Sequence, residues 1–334
     1  MIIKIKRKQL RQAGFVLVSA FIIVVAMLGV SVTTDSVIGA NVTNQTVIAR
    51  VNVTNTEPTL YKVEITSPPL PIDLTPGGVT VVICNGSVHD INEFDDITNV
   101  NATFYQTTVA SNATDDNSTH YTNSTCLAGG QTCSAIVGSN NQNGSCICNF
   151  AVQYYANNGN WQCNMTITDS GNLKSSENST FVTINEVLGI DVETTTIDFG
   201  NLSVTQVSNP TRENVTNTGN VPINITVRNY GGDNETIGEN VSMICDPNVG
   251  ATANITFNNM RFDVNNRSQN VFNDMVNITN QTRQVANLTI PKRTSNAGFG
   301  NSSNSTFWRL QIPLGASGVC NGTIIFGAID ATLI

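Results

Sequence analysis

Charge is scarce in this chain. Asp, Glu, Lys and Arg make up 12% of its 334 residues, and His89 and His120 are the only histidines. So few titratable groups leave little material for acid–base catalysis. A Ser-His-Asp arrangement needs a serine in a defined, strained setting, and no GxSxG occurs; HExxH, Walker-type and GxGxxG phosphate loops are absent too. No catalytic residue is assigned, and a hydrolase is disfavoured. Aromatics are sparse at 6%, which counts against a platform for stacking sugars. Cations are scarcer still outside the N-terminus. Five of the 16 Lys and Arg precede Phe15, leaving 11 against 24 Asp and Glu, a balance of −13. That acidity argues against nucleic acid or an anionic membrane surface as partner.

What the chain does have begins with Phe15 to Val32, 18 residues interrupted only by Ser19, Gly29 and Ser31. At about 1.5 Å per residue, such a helix just crosses a hydrocarbon core of about 30 Å. Lys4, Lys6, Arg7, Lys8 and Arg11 hold its N-terminal side in the cytoplasm and place the rest outside. Residues 1–14 thus read as a cytoplasmic stub, 15–32 as a transmembrane helix and signal anchor, and the membrane as a partner through 15–32. A cleaved signal peptide has an apolar stretch of roughly 7–15 residues and a small-x-small site. Here the run is longer, and Ile38-Gly39-Ala40 opens on a bulky residue. The expectation is an uncleaved anchor with the bulk extracellular, and a secreted protein if cleavage occurs. A third fate rests on resemblance. Gly14 followed by Phe15 and an apolar helix resembles the class III signal of type IV pilins and archaeal pilin-like proteins, which implies cleavage before Phe15 and helices packed into a filament. Ser19 stands where many such proteins carry glutamate, and Ala13 where archaeal members often carry a charge.

Polarity beyond the anchor comes from amides and hydroxyls. Of 46 asparagines, 24 open an Asn-x-Ser/Thr sequon, against roughly 9 expected at random, and each is an N-glycan acceptor in an exported chain. Many have an apolar middle residue, so on a strand Asn and Thr share the solvent face while that residue points to the core. Expected acceptors are Asn41, Asn52, Asn101, Asn164, Asn201, Asn224, Asn254, Asn287 and Asn321. All eight cysteines lie beyond the anchor, an even number that suits disulfides in an oxidising exterior.

Residues 33–57, with sequons at Asn41, Asn44 and Asn52, read as an exposed stalk with one short strand around Val47–Val53. A first domain spans 58–187. Its strands include Val79–Cys84, Asn101–Val109, and a pair, Cys148–Tyr155 and Trp161–Thr168, around the turn Asn157-Asn158-Gly159-Asn160. A second spans 188–334, with Ile223, Ile225 and Val227 alternating inward; residues 264–286 read as loop or short helix. The class is all-β: two tandem antiparallel β-sandwiches after one N-terminal helix. Val81 to Ile91 and "YYANNGNWQCNMTITD" (154–169) resemble the Ig-like and PKD-like domains of archaeal and bacterial surface proteins. The turn Asn217-Thr218-Gly219-Asn220 and the closing segment Trp308 to Ile324 are similar to CARDB-like and TasA-like sandwich modules. The Ig-like resemblance implies a bridge between Cys84 and Cys163, with Trp161 two residues before the second cysteine. Cys245 and Cys320 are the only cysteines of the second domain and pair by default. Cys126, Cys133, Cys146 and Cys148 allow three pairings; nesting Cys126–Cys148 over Cys133–Cys146 avoids bridging Cys146 to Cys148. Zinc is the rival for these four, but two CxxC knuckles are lacking.

Asp90, Asn92, Glu93, Asp95 and Asp96 make an oxygen-rich loop, and Asp90, Glu93, Asp95 and Asp96 are weak calcium ligand candidates against a solvated acidic turn; EF-hand spacing is absent. No other metal or cofactor is expected. Together these features point to a non-enzymatic, membrane-anchored surface glycoprotein with a structural or adhesive role and possible self-association. A pilin-like filament subunit and a secreted binding module are the rivals.

Overall fold

A computed structural model of the chain describes residues 47–127, 133–265, 272–298 and 300–333. The apolar run 15–32, the stalk before Val47 and Asn41 lie outside the described residues. Among those described, no helix is long and apolar enough to cross a membrane.

The described chain is nearly all β, in four antiparallel sheets. In the first half, β1 (Thr59–Ser67), β2 (Val79–His89), β6 (Asn143–Gln153) and β5 (Cys133–Ala135) form one sheet in that order. The second sheet orders β4 (His120–Asn123), β3 (Ile97–Gln106), β7 (Gly159–Asp169) and β8 (Lys174–Asn178), with β9 (Val182–Ile184) also on β7. In the second half, β10 (Ile190–Val192), β11 (Thr211–Asn217), β17 (Ser303–Leu310), β14 (Met260–Asp263) and β15 (Val276–Asn277) form a third sheet. A fourth orders β13 (Ile244–Cys245), β18 (Cys320–Asp330), β12 (Ile223–Gly231) and β16 (Arg283–Ile290). Among the described residues, regular α-helix is one turn, Glu235–Gly238, capped by Asn234.

Period-2 alternation builds each core. On β7, Trp161, Cys163, Met165 and Ile167 are fully buried while Gln162, Asn164 and Thr166 are half-buried. They meet Val82, Cys84 and Val88 of β2 and Cys148, Phe150 and Val152 of β6 in one cluster. A second cluster joins Val215, Phe262 and Trp308 of the third sheet to Ile223, Ile225, Leu288 and Ile290 of the fourth. Each half is therefore a β-sandwich.

Four disulfides complete these cores. Cys84–Cys163 crosses from β2 to β7, between sheets that share no ladder, with Cα atoms 6.5 Å apart. The four mid-chain cysteines form the nested pairs Cys126–Cys148 and Cys133–Cys146, and Cys245 is joined to Cys320.

Three expectations need correcting. β6 and β7 do not pair around Asn157–Asn160: β6 lies between β2 and β5, β7 between β3 and β8, so the turn carries the chain from one sheet to the other. No strand forms at Val47–Val53, where Val47, Ile48, Val51 and Val53 are all exposed; β-branched propensity without a partner strand makes no ladder. Residues 264–286, read as loop or short helix, hold the 3-10 helix Phe272–Asp274 but also the short strand β15 and the start of β16 among their described positions.

The two halves lie in one compact unit, Thr54–Ile334. Asn220 clamps one side of the joint: its Oδ1 accepts from Val187 N at 2.7 Å and its Nδ2 donates to Asn185 O at 2.9 Å. Further contacts join the halves: Lys292 Nζ donates to Tyr155 O at 2.9 Å and to Asn157 Oδ1, and Tyr155 Oη donates to Asn296 Oδ1 at 2.6 Å. Burial lowers the Lys292 pKa to about 8.

Two outcomes are expected. Replacing Cys84 and Cys163 together by alanine frees a loop of 79 residues; denaturant unfolding is expected to lose roughly 4–5 kcal/mol, against roughly 3 for Cys133 and Cys146. The Lys292 amine has a depressed pKa in the folded state, so its stability contribution is full above the unfolded value near 10.4 and is lost as pH falls to about 8. Thermal unfolding between pH 8 and 10 is expected to show a rise in stability that Lys292→Met flattens.

Candidate cation site

Three aspartates from separate stretches meet at one end of the first sandwich. Asp90 directly follows β2, Asp96 closes the 3-10 turn Phe94–Asp96, and Asp169 ends β7. Asp90 stands six residues beyond Cys84 and Asp169 six beyond Cys163. An even offset keeps each carboxylate on the inward face of its strand, and an equal one brings both to the same level above the bridge. β3 leaves the 3-10 turn and pairs with β7 so that Ile97 lies opposite Asp169, which brings Asp96 in as third member. One oxygen from each carboxylate lies within 4.8 Å of the others. Asp90 and Asp169 are 0% and 1% exposed, and Asp96 is half-buried.

The turn that carries Asp96 is pinned by Phe94. Its ring packs over Gly144 of β6, where a Cβ would fall 2.0 Å from Phe94 Cε2. Hydrogen bonds hold one oxygen of each carboxylate or both. Asp90 Oδ1 accepts from Asn92 N at 2.8 Å, and Asp96 Oδ2 from Ser170 Oγ at 3.3 Å. Asp169 accepts from Leu173 N at 2.8 Å and Asn55 Nδ2 at 2.9 Å. Among the described residues no ion pair reaches the three. Burial, and next the Asp90 charge, raise the Asp96 pKa. A set of carboxylates without thiol or imidazole is hard-oxygen chemistry, of the calcium and magnesium kind rather than zinc.

Of the four ligand candidates in the acidic loop, Asp90 and Asp96 enter this group. Glu93 and Asp95 do not: both are exposed, and Asp95 Oδ2 accepts from Asn141 Nδ2 at 2.9 Å. With Phe94 driven inward, a tight turn puts its neighbours outside. Asp169 was missed because it lies 73 residues beyond Asp96. The signal that could have found it is the repeated Cys-x5-Asp, Cys84 to Asp90 and Cys163 to Asp169.

The histidines serve structure. His120 is buried, with Nδ1 2.7 Å from Asp115 Oδ1 and Nε2 3.0 Å from Ser111 O. His89 sits on β2, its Nδ1 2.8 Å from Asn143 Oδ1.

Among the sequon asparagines, Asn52, Asn201, Asn254, Asn287 and Asn321 are exposed, and Asn101 and Asn164 half-buried. Asn224 differs from the expected solvent-facing position. It is 7% exposed, with Thr289 Oγ1 donating to its Oδ1 at 2.6 Å. β12 runs between β16 and β18, and Asn224 and Thr226 on its outer face are buried along with Ile223, Ile225 and Val227 on the inner one.

No family model and no curated protein matches this chain. Among solved structures, it is similar to a chaperone–tip adhesion subunit pre-assembly complex from archaic chaperone-usher Csu pili of Acinetobacter baumannii. That match has 12% identity and a TM-score of 0.32, and covers 72% of this chain and 88% of the other. The C-terminal domain of the Streptococcus agalactiae antigen I/II polypeptide BspA matches at 8% identity and TM-score 0.21, over 82% and 96%. A carbohydrate-binding module of the β-sandwich superfamily matches at 12% and 0.22, over 84% and 98%. Likenesses this remote identify no family.

Gly144→Ala would force Phe94 off β6. Thermal or denaturant unfolding is expected to lose roughly 1–3 kcal/mol, the usual cost of overpacking a filled site.

Proposed function

We propose that this chain is a non-enzymatic cell-surface glycoprotein with a structural or adhesive role. In this reading residues 15–32 anchor it in the membrane, 33–57 form a stalk, and two tandem Ig-like sandwiches, 58–187 and 188–334, project outward. The observation that carries the reading is the distribution of sequons. Asparagines at positions 52, 201, 254, 287 and 321 stand in solvent, spread from the stalk to the last strand. Their exposure fits glycan carriage, and a coat of glycans keeps strand edges from pairing with those of other molecules. Four disulfides among the described residues suit the same oxidising compartment.

Gly14-Phe15 supports a second reading, a pilin-like filament subunit processed before Phe15. Mass spectrometry of the mature N-terminus and glycopeptides, on protein from its native cells, separates the two. The expected result is a start at or near Met1, glycans at Asn52, Asn201, Asn254, Asn287 and Asn321, and none at Asn224. A start at Phe15 selects the filament, and a start near Asn41 a released protein. Unmodified exposed sequons sink the glycoprotein reading.

A further inference from the structure

We infer that Asp90, Asp96 and Asp169 bind a divalent cation, calcium by the character of its donors, and that the ion fixes the point where the chain joins the first sandwich. The observation beyond the clustering is the state of Asp90. No part of it is exposed, and its Oδ2 is buried with no hydrogen-bond donor among the described residues. Asp96 Oδ1 is buried and without a donor in the same way. In both residues the sibling oxygen is held by a hydrogen bond, from Asn92 N and Ser170 Oγ. The carboxylates are thus oriented while one oxygen of each is left bare. A buried bare carboxylate oxygen is costly, and two of them beside a third carboxylate call for positive charge. The choice of ion follows from the donors. Three protein carboxylates suit calcium, which takes about six to eight oxygens in flexible geometry, over magnesium, which keeps several waters and is usually bound by one or two carboxylates.

The same aspartates hold the incoming chain. Asn55 donates to Asp169, and the Thr56 amide donates at 2.7 Å to the side chain of Asn92, whose own amide binds Asp90. Drawing the carboxylates onto one ion therefore tightens Asn55 and Thr56 against the body of the sandwich.

The test is calorimetric titration of the EDTA-stripped, full-length chain with CaCl2 and with MgCl2, paired with amide hydrogen exchange and thermal unfolding. The expected result is one calcium site with a dissociation constant on the order of 10⁻⁴–10⁻³ M, the range of extracellular modules. Saturating calcium is expected to slow exchange in the segments holding Thr56, Asn92 and Leu173 at least tenfold. Asp96→Asn, which removes a repelling charge and so folds at least as well in EDTA, is expected to weaken calcium at least tenfold. Asp95→Asn is expected to bind like the parent chain. Absence of heat and of any melting shift at about 10 mM CaCl2, tenfold above the weak end of that range, would overturn the proposal. An Asp96→Asn chain that melts higher while the parent ignores calcium would point to a shared proton between Asp90 and Asp96 instead. Magnesium binding as tightly as calcium would overturn the choice of ion.

Discussion

The first sandwich is registered by the Cys84–Cys163 bridge, which joins sheets with no backbone hydrogen bond between them. Trp161, one inward position before Cys163, packs beside it. The Trp161 ring stacks on Phe104 with centroids 4.8 Å apart, and its indole N–H donates to Asn157 O. With bridge and stack in place, β2 and β7 cannot slide past one another. Everything at their ends inherits that alignment, including the level at which Asp90 and Asp169 meet. A slip of one residue on either strand would turn its aspartate outward.

Around these cores the chain achieves order with very little charge. Side-chain amides take the places that ion pairs occupy elsewhere. Asn220 ties the two halves together, and Asn217 Nδ2 donates to Val221 O and Ile290 O. Asn229 Nδ2 reaches Thr323 O. Such bonds feel ionic strength little, whereas the three Lys and Arg ion pairs among the described residues are mostly exposed and contribute weakly. The aspartate triad stands apart for this reason: it concentrates uncompensated charge in a molecule that otherwise avoids it.

Much of this architecture is legible in the residues themselves. Alternation on β2, β7 and β12 marks strands, and cysteine spacing narrows the bridges. What the sequence hides depends on which strands become neighbours. Asn157-Asn158-Gly159-Asn160 has the composition of a hairpin turn, yet its flanking strands go to different sheets because each has longer ladders elsewhere. Val47 to Val53 has strand composition and no partner. Asn224 carries a sequon and the alternation that should expose it, but a central strand with neighbours on both sides leaves its outer face partly covered. Two of the three candidate ligands, Asp90 and Asp96, lie in an acidic loop that attracts notice. Asp169 looks like the polar end of a strand until β3 is paired with β7.

The long disulfide loops also set how far the folded chain can be stretched. Cys84–Cys163 and Cys245–Cys320 enclose sequence separations of 79 and 75 residues. Fully extended, the second would add roughly 250–270 Å, and the first, shortened by the 22 residues that Cys126–Cys148 closes off, roughly 190–205 Å. With the bridges closed, a pull applied between the two ends bypasses both loops, and only the segments outside them can pay out. Pay-out then stops at a fixed length, and the chain held inside each loop is released only when a sulfur–sulfur bond breaks.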